Sequence, residues 1–173
     1  LVEDRLKRLI RDVPDFPKEG IIFKDITTLL KDESGFRDAV EALHDVYRDA
    51  DIEAVASVEA RGFIVGAPLA YLLGAGFVPI RKPGKLPADV FEEEYELEYG
   101  TDRLQVHRDA FDRARRVLVA DDLLATGGTA LATARLVEKC GAEVVSFGFI
   151  IELEFLNGRE KIADYDVVSL IKY

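Results

Sequence analysis

The run VLVADDLLATGGTA, residues 117 to 130, sets a short apolar stretch, two adjacent carboxylates and a glycine-broken turn side by side. Val117, Leu118, Val119 and Ala120 have the continuous hydrophobicity of a parallel strand buried on both faces. Asp121 and Asp122 are expected to end that strand, because carboxylates are poor core residues. Gly127 and Gly128 then let the backbone turn tightly and offer its N–H groups to an anion, with Ala125 in the same loop and hydroxyl donors at Thr126 and Thr129. A helix from about Gly128 to Lys139 would point its positive end at the same place.

Paired acids suit the two hydroxyls of a ribose, and they can help to hold Mg²⁺. Glycine-presented N–H groups suit its 5-phosphate. Together the run is laid out to grip a ribose 5-phosphate. A plain strand-to-helix turn with surface aspartates is the simpler reading, and it leaves this coincidence of features unexplained. A Walker A loop is excluded, since no Gly-Lys-Ser/Thr triplet occurs and the acids precede the glycines.

Working outward, Ala54 to Val58 reads as a second buried strand, followed by a helix from about Phe63 to Leu73 and a strand from Phe77 to Ile80. Strands at Val144 to Ile151 and Val167 to Ile171 complete the series. Strands alternating with helices imply an α/β fold, a mostly parallel sheet flanked by helices. Ligands of such sheets sit at the carboxyl ends of the strands, where Glu59 to Gly62, Arg81-Lys82 and Asp121-Asp122 all fall. Before the sheet, Val2, Leu6, Leu9, Ile10 and Val13 predict an amphipathic helix over 1–11 that Pro14 and Pro17 end. Ser34 is the expected N-cap of a second helix reaching about Arg48. Between Ile80 and Val117 the alternation pauses. Six of the ten residues from 89 to 98 are acids, and Tyr95, Leu97, Tyr99, Leu104 and Val106 alternate around Gly100 as in a hairpin, which reads as a mobile flap.

At 173 residues, about half of them hydrophobic, the chain has the size of one domain with a substantial core. Its net charge of −10 argues against nucleic acid as a partner. An acidic chain that binds an anionic sugar must gather positive charge locally or borrow it from a metal. Arg61, Arg81, Lys82 and Lys85 supply such a cluster. The stretch from Gly62 to Ile80 carries no charge over 19 residues. Pro68, Pro79 and Gly74-Ala75-Gly76 break it, so no membrane span is expected. One cysteine, Cys140, excludes an internal disulfide framework and fits a cytoplasmic protein.

The Asp121 to Thr129 segment resembles the phosphoribosyl diphosphate signature of the type I phosphoribosyltransferases. PDFPKEGIIFKDIT (14 to 27), EARGF (59 to 63), RKPGKLP (81 to 87), LEYGTD (97 to 102) and ELEFLNGREK (152 to 161) resemble the adenine-using branch of that family, in the family's order. The resemblance implies one domain over 1–173, with a base-binding hood at 1–30 and a flap at 82–107. It implies transfer of a ribose phosphate from phosphoribosyl diphosphate to adenine, in purine salvage, with Mg²⁺ held mainly by the substrate and Asp121 and Asp122 as candidate protein ligands.

By the same resemblance Phe23 stacks on one face of adenine, Leu153 packs on the other, and the Ile22 backbone reads the base edge. Lys24 stands where the family often has arginine, and a surface lysine packed beside the loop is the other reading of it. Arg61, Arg81, Lys82 and Lys85 would neutralise the leaving diphosphate, the last three across a dimer interface. Glu98 would relay a proton at the imidazole ring of the base, and Tyr99 would help to close the site. A homodimer, and a cis peptide at Glu59-Ala60, are further implications. A 6-oxopurine enzyme and a non-catalytic purine sensor are the alternatives. The first is disfavoured by the 21–25 segment, whose backbone carbonyl and N–H complement the N6 donor and N1 acceptor of adenine. The second is disfavoured by the absence of room for a DNA-binding domain before the first base-site motif.

Overall fold

The computed structural model describes residues 1–97 and 99–173. Along the chain, α1 (Val2–Leu9), β1 (Arg11–Pro14), β2 (Ile22–Asp25), α2 (Thr27–Leu30) and α3 (Glu33–Tyr47) precede the central sheet. Next come β3 (Ala54–Val58), α4 (Arg61–Leu73), β4 (Gly76–Ile80) and an antiparallel hairpin of β5 (Val90–Glu96) and β6 (Thr101–His107). The chain closes with β7 (Arg116–Leu124), α5 (Gly128–Lys139), β8 (Glu143–Glu152), two short 3₁₀ turns (Glu154–Leu156, Gly158–Ile162) and β9 (Val167–Lys172).

Five strands form one parallel sheet in the order β4-β3-β7-β8-β9. The chain starts this sheet at β3, winds outward to β4, and then crosses back to β7 on the other side. Helices leaving the adjacent strands β3 and β7 therefore diverge, and a crevice opens between the carboxyl ends of those two strands. The alternation expected of a doubly buried strand is visible in β7. Val117 and Val119 face α5 and the hairpin, packing with Leu136, Val137, Leu104 and Val106. Leu118 and Ala120 face the opposite layer of α1, α3 and α4, with Leu6, Leu43, Val65 and Leu69. From that layer the buried Tyr47 hydroxyl donates to the Phe147 carbonyl at 2.9 Å, and burial raises its pKa to about 12.

Three local expectations are corrected. Asp121 and Asp122 do not end β7, which continues to Leu124 because its pairing with β8 persists to Leu124↔Glu152. On the other side its pairing with β3 ends at Ala56↔Val119, so one edge of the acidic segment is free to face the crevice. The N-cap of α3 is Asp32 rather than Ser34. Its Oδ1 accepts from the Gly35 N–H at 2.7 Å and from the Ser34 hydroxyl at 2.8 Å, and a carboxylate completes the cap one step earlier. The first helix ends at Leu9, before either proline, because residues 11–14 are drawn into an antiparallel ribbon with 22–25.

That ribbon is fastened by Asp25. Its carboxylate accepts from the Thr27 hydroxyl at 2.6 Å and backbone N–H at 2.9 Å, and from Arg11 Nε at 3.1 Å. Thr27, then Arg11, bring the Asp25 pKa down from 3.8 to about 2. A depressed carboxyl stabilises the fold above its unfolded pKa and ceases to do so as pH falls through the folded one. Asp25→Asn is therefore expected to lower stability by about 1–2 kcal/mol at pH 7, the worth of a charge-assisted network. In urea melts the difference from wild type should shrink between pH 4 and pH 2. A constant gap across that range would show that the charge of Asp25 is not what fastens the ribbon.

Candidate active site

At the crevice between β3 and β7 lies a cavity of about 480 Å³. Its floor is the acidic end of β7, its walls are the 58–62 turn with the start of α4 and the 124–130 loop with the start of α5, and Lys82 and Tyr95 close one side.

The 125–129 segment takes the form that its glycines dictate. Gly127 has φ +86°, a left-handed conformation that side chains rarely adopt, and serves as the N-cap of α5. Its carbonyl accepts from the Leu131 N–H at 3.0 Å, which starts the helix and leaves the first-turn N–H groups facing the cavity. Thr126 is exposed, and Thr129, part-buried, lines the same wall.

Opposite stands the acidic pair. Asp122, buried, takes Arg61 Nε on Oδ2 at 2.7 Å. Asp121 Oδ1 accepts the Asp122 N–H at 2.8 Å and packs so closely on the first turn of α4 that a Cβ on Gly62 would stand 2.7 Å from it. Burial, and then the charge of Asp122, push the Asp121 carboxyl well above the usual carboxylate range. Below them Ser57, fully buried, ties β3 to β7 by donating to the Ala120 carbonyl at 2.7 Å. The peptide Glu59-Ala60 is cis, as the resemblance implied.

The basic residues divide. Arg61 and Lys82 line the cavity. Lys82 Nζ is engaged by Asp102 on β6 and by the Tyr95 hydroxyl at 3.1 Å, and its pKa is raised, the favourable partners outweighing burial. Arg81 turns to Glu59, Nε to Oε1 at 3.2 Å, and its backbone pairs with Gln105. Lys85 sits exposed on the loop beyond. Glu59, which also accepts the Lys82 N–H at 2.7 Å, was placed at the cleft by the sequence but not as the partner of a cation, and Tyr95 and Asp102 were given no place in the site. Their signal was weak, because a carboxylate that braces a cation is indistinguishable in sequence from a solvated one.

The base-side residues approach from two directions. On β2 the Phe23 ring lies 5.9 Å from the Arg61 guanidinium carbon, which brings the 14–27 segment to the cavity mouth, and Phe16 packs edge-on against Phe23 at 5.2 Å. Ile22 is exposed opposite Pro14, which has no N–H to give to its carbonyl. Leu153, part-buried just beyond β8, is tied to the phosphate side by its N–H on the Leu124 carbonyl at 3.0 Å. Lys24 is spent elsewhere, with Nζ on Asp12 at 2.7 Å and 4.1 Å from the Tyr173 ring centroid. Glu98 lies outside the described residues. Tyr99, next to it in sequence, is 82% exposed, with Lys18 Nζ 5.8 Å from its ring.

A parallel sheet with this switch point, an acidic strand end and a glycine-capped helix facing it define a phosphoribosyl-binding protein of the type I class. The chain belongs to the phosphoribosyltransferase family, whose phosphoribosyl transferase domain matches residues 25–172. Its place within the family is with the adenine phosphoribosyltransferases. The one from Alkaliphilus metalliredigens is 62% identical over 164 residues, covering 95% of this chain and 96% of the relative. The crystal structure of the Thermoanaerobacter pseudethanolicus enzyme superposes with a TM-score of 0.94 at 54% identity, over 98% of this chain and 99% of that one. The Saccharomyces cerevisiae enzyme, solved with adenine and an imino-altritol bisphosphate, gives 0.92 at 37% identity, over 98% of both chains.

Proposed function

We propose that this protein transfers the 5-phosphoribosyl group from phosphoribosyl diphosphate to N9 of adenine, forming AMP and diphosphate in purine salvage. The observation that carries this reading is the meeting of three chemistries at one cavity. The acids of β7, the N–H groups opening α5 and the Arg61 guanidinium line it, and Phe23 flanks Arg61 at its mouth.

In this reading Asp121 and Asp122 accept the ribose hydroxyls, while Ala125, Thr126, Gly127, Gly128 and Thr129 hold the 5-phosphate. Arg61 and Lys82, with Arg81 and Lys85, oppose the growing charge of the diphosphate as the C1′–O bond breaks. Such donors act strongly because they are in place before the charge develops. Phe23 and Leu153 sandwich the base and the Ile22 backbone reads its edge. Glu98 accepts the proton that the imidazole ring must lose as N9 bonds to C1′, and the 82–107 flap with Tyr99 keeps water from the cationic sugar. Lys24 supports the base segment through Asp12 and Tyr173 rather than touching adenine.

Mg²⁺ is the cofactor we assign. Among the described residues no group of three or more His, Cys, Asp or Glu gathers to hold a metal alone. The donor set fits an ion carried mainly by substrate oxygens, with Asp121 and Asp122 as its protein neighbours. Bound there, Mg²⁺ supplies charge neutralisation at the diphosphate. A homodimer in the cytoplasm is the state we propose. Ile64, Tyr71 and Leu72 leave an exposed apolar face along α4, and the single thiol suits a reducing compartment. Among the described residues no helix is long and apolar enough to cross a membrane.

The test is a purine panel with Mg²⁺ and phosphoribosyl diphosphate. Adenine is expected to exceed hypoxanthine and guanine by roughly 10⁴-fold in kcat/KM, the discrimination available to a site that hydrogen-bonds its substrate. Equal turnover of hypoxanthine would overturn the assignment of the base.

A further inference from the structure

Behind the phosphate loop, residues 124–128 run alongside the segment 153–162 that follows β8. Their closest approach is backbone against backbone. A Cβ on Gly158 would stand 2.2 Å from the Ala125 carbonyl oxygen, and 3.0 Å from both the Ala125 carbonyl carbon and the Gly127 nitrogen. Reciprocally, a Cβ on Gly127 would stand 2.4 Å from the Gly158 carbonyl oxygen. Gly158 does not have the positive φ of Gly127, so its need for glycine is one of space alone. The segment is anchored on its far side. Arg159 donates to Glu152 from Nε at 2.9 Å and Nη2 at 2.5 Å, and to the Val167 carbonyl at 3.0 Å, while Glu152 is buried.

We propose that Gly158 is a positioning residue for the reaction, a fixed stop that sets how far the phosphate loop stands from the sheet, with Arg159 holding the stop in place. The inference rests on the phosphoribosyl reading of the cavity. Backbone cannot swing aside as a flexible side chain does, so a methyl group at 158 must displace the 125–127 peptides by about an ångström, a shift that can cost a site on the order of 100-fold. The diphosphate side of the cavity is built on the 58–62 turn and Lys82, whereas the three heavy atoms nearest a Cβ at 158 all belong to Ala125 and Gly127.

The experiment compares Gly158→Ala with wild type in calorimetric titrations with ribose 5-phosphate and, separately, with inorganic diphosphate, alongside steady-state kinetics. The expected result is a ribose 5-phosphate Kd raised at least about 10-fold, a matching rise in KM for phosphoribosyl diphosphate, and a diphosphate Kd within about twofold. An unchanged ribose 5-phosphate Kd, or equal weakening of both ligands, would overturn the proposal. If Gly158→Ala does not fold, Arg159→Lys decides. It removes the guanidinium fork and should raise the same Kd about threefold, and no change there also overturns the proposal. Wild type that binds ribose 5-phosphate but transfers no phosphoribosyl group from phosphoribosyl diphosphate to any purine would refute the enzymatic reading and leave Gly158 as the stop of a sugar-phosphate site.

Discussion

Asp122→Ala is expected to lower kcat/KM for phosphoribosyl diphosphate by roughly a thousandfold while leaving the protein folded. Asp122 has two tasks in the proposed mechanism, accepting a ribose hydroxyl and orienting Arg61 through the 2.7 Å pair. Two charge-assisted hydrogen bonds at about 2 kcal/mol each amount to some 4 kcal/mol, which is about a thousandfold in rate. Arg61 is nearly half exposed, so removing its partner strands no buried charge and the melting temperature should move little. Asp122→Asn keeps the shape and one acceptor and should lose less. Steady-state kinetics on both variants check the order, and a loss under tenfold for the alanine variant would remove Asp122 from the ribose site.

Glu98→Gln should lower kcat by about 100- to 10⁴-fold, the range for losing a general base. The isosteric amide keeps the shape of the side chain but cannot take the proton from the imidazole ring. KM for phosphoribosyl diphosphate should stay within about threefold, because ground-state binding is untouched. An unaltered kcat would remove Glu98 from the proton relay. What recommends the residue is its sequence context, LEYGTD, in the chain between β5 and β6. Tyr95 of the β5–β6 hairpin lines the cavity, and Glu93, midway along β5, ties it to α5 through Lys139 at 2.5 Å.

Much of the fold was legible because burial writes itself into residue type. A strand covered on both faces must be small or apolar nearly throughout, with any polar exception such as Ser57 satisfied inside, which is why 54–58 and 117–120 were readable without neighbours. The helix 128–139 was legible from its glycine start. The ends of elements were less so. Whether β7 stops at Ala120 or runs to Leu124 depends on how long β8 stays beside it, and whether 11–14 is helix or strand depends on 22–25 lying opposite. Neither fact is local.

The site divides in the same way. Which residue types gather at the cavity was legible in the sequence, since paired carboxylates, a glycine-capped helix and a cluster of cations are the types a sugar phosphate would call for. How they are partnered was settled only in three dimensions. Arg61 pairs with Asp122, Lys82 with Asp102 and Tyr95, Arg81 with Glu59, and Lys24 with Asp12 and Tyr173. The stop at Gly158 belongs to the same class, for a missing side chain has meaning only against the backbone it lets in. Composition and period carry what each residue is. Charge pairing and close approach depend on distances between residues remote in sequence, and the fold alone sets those.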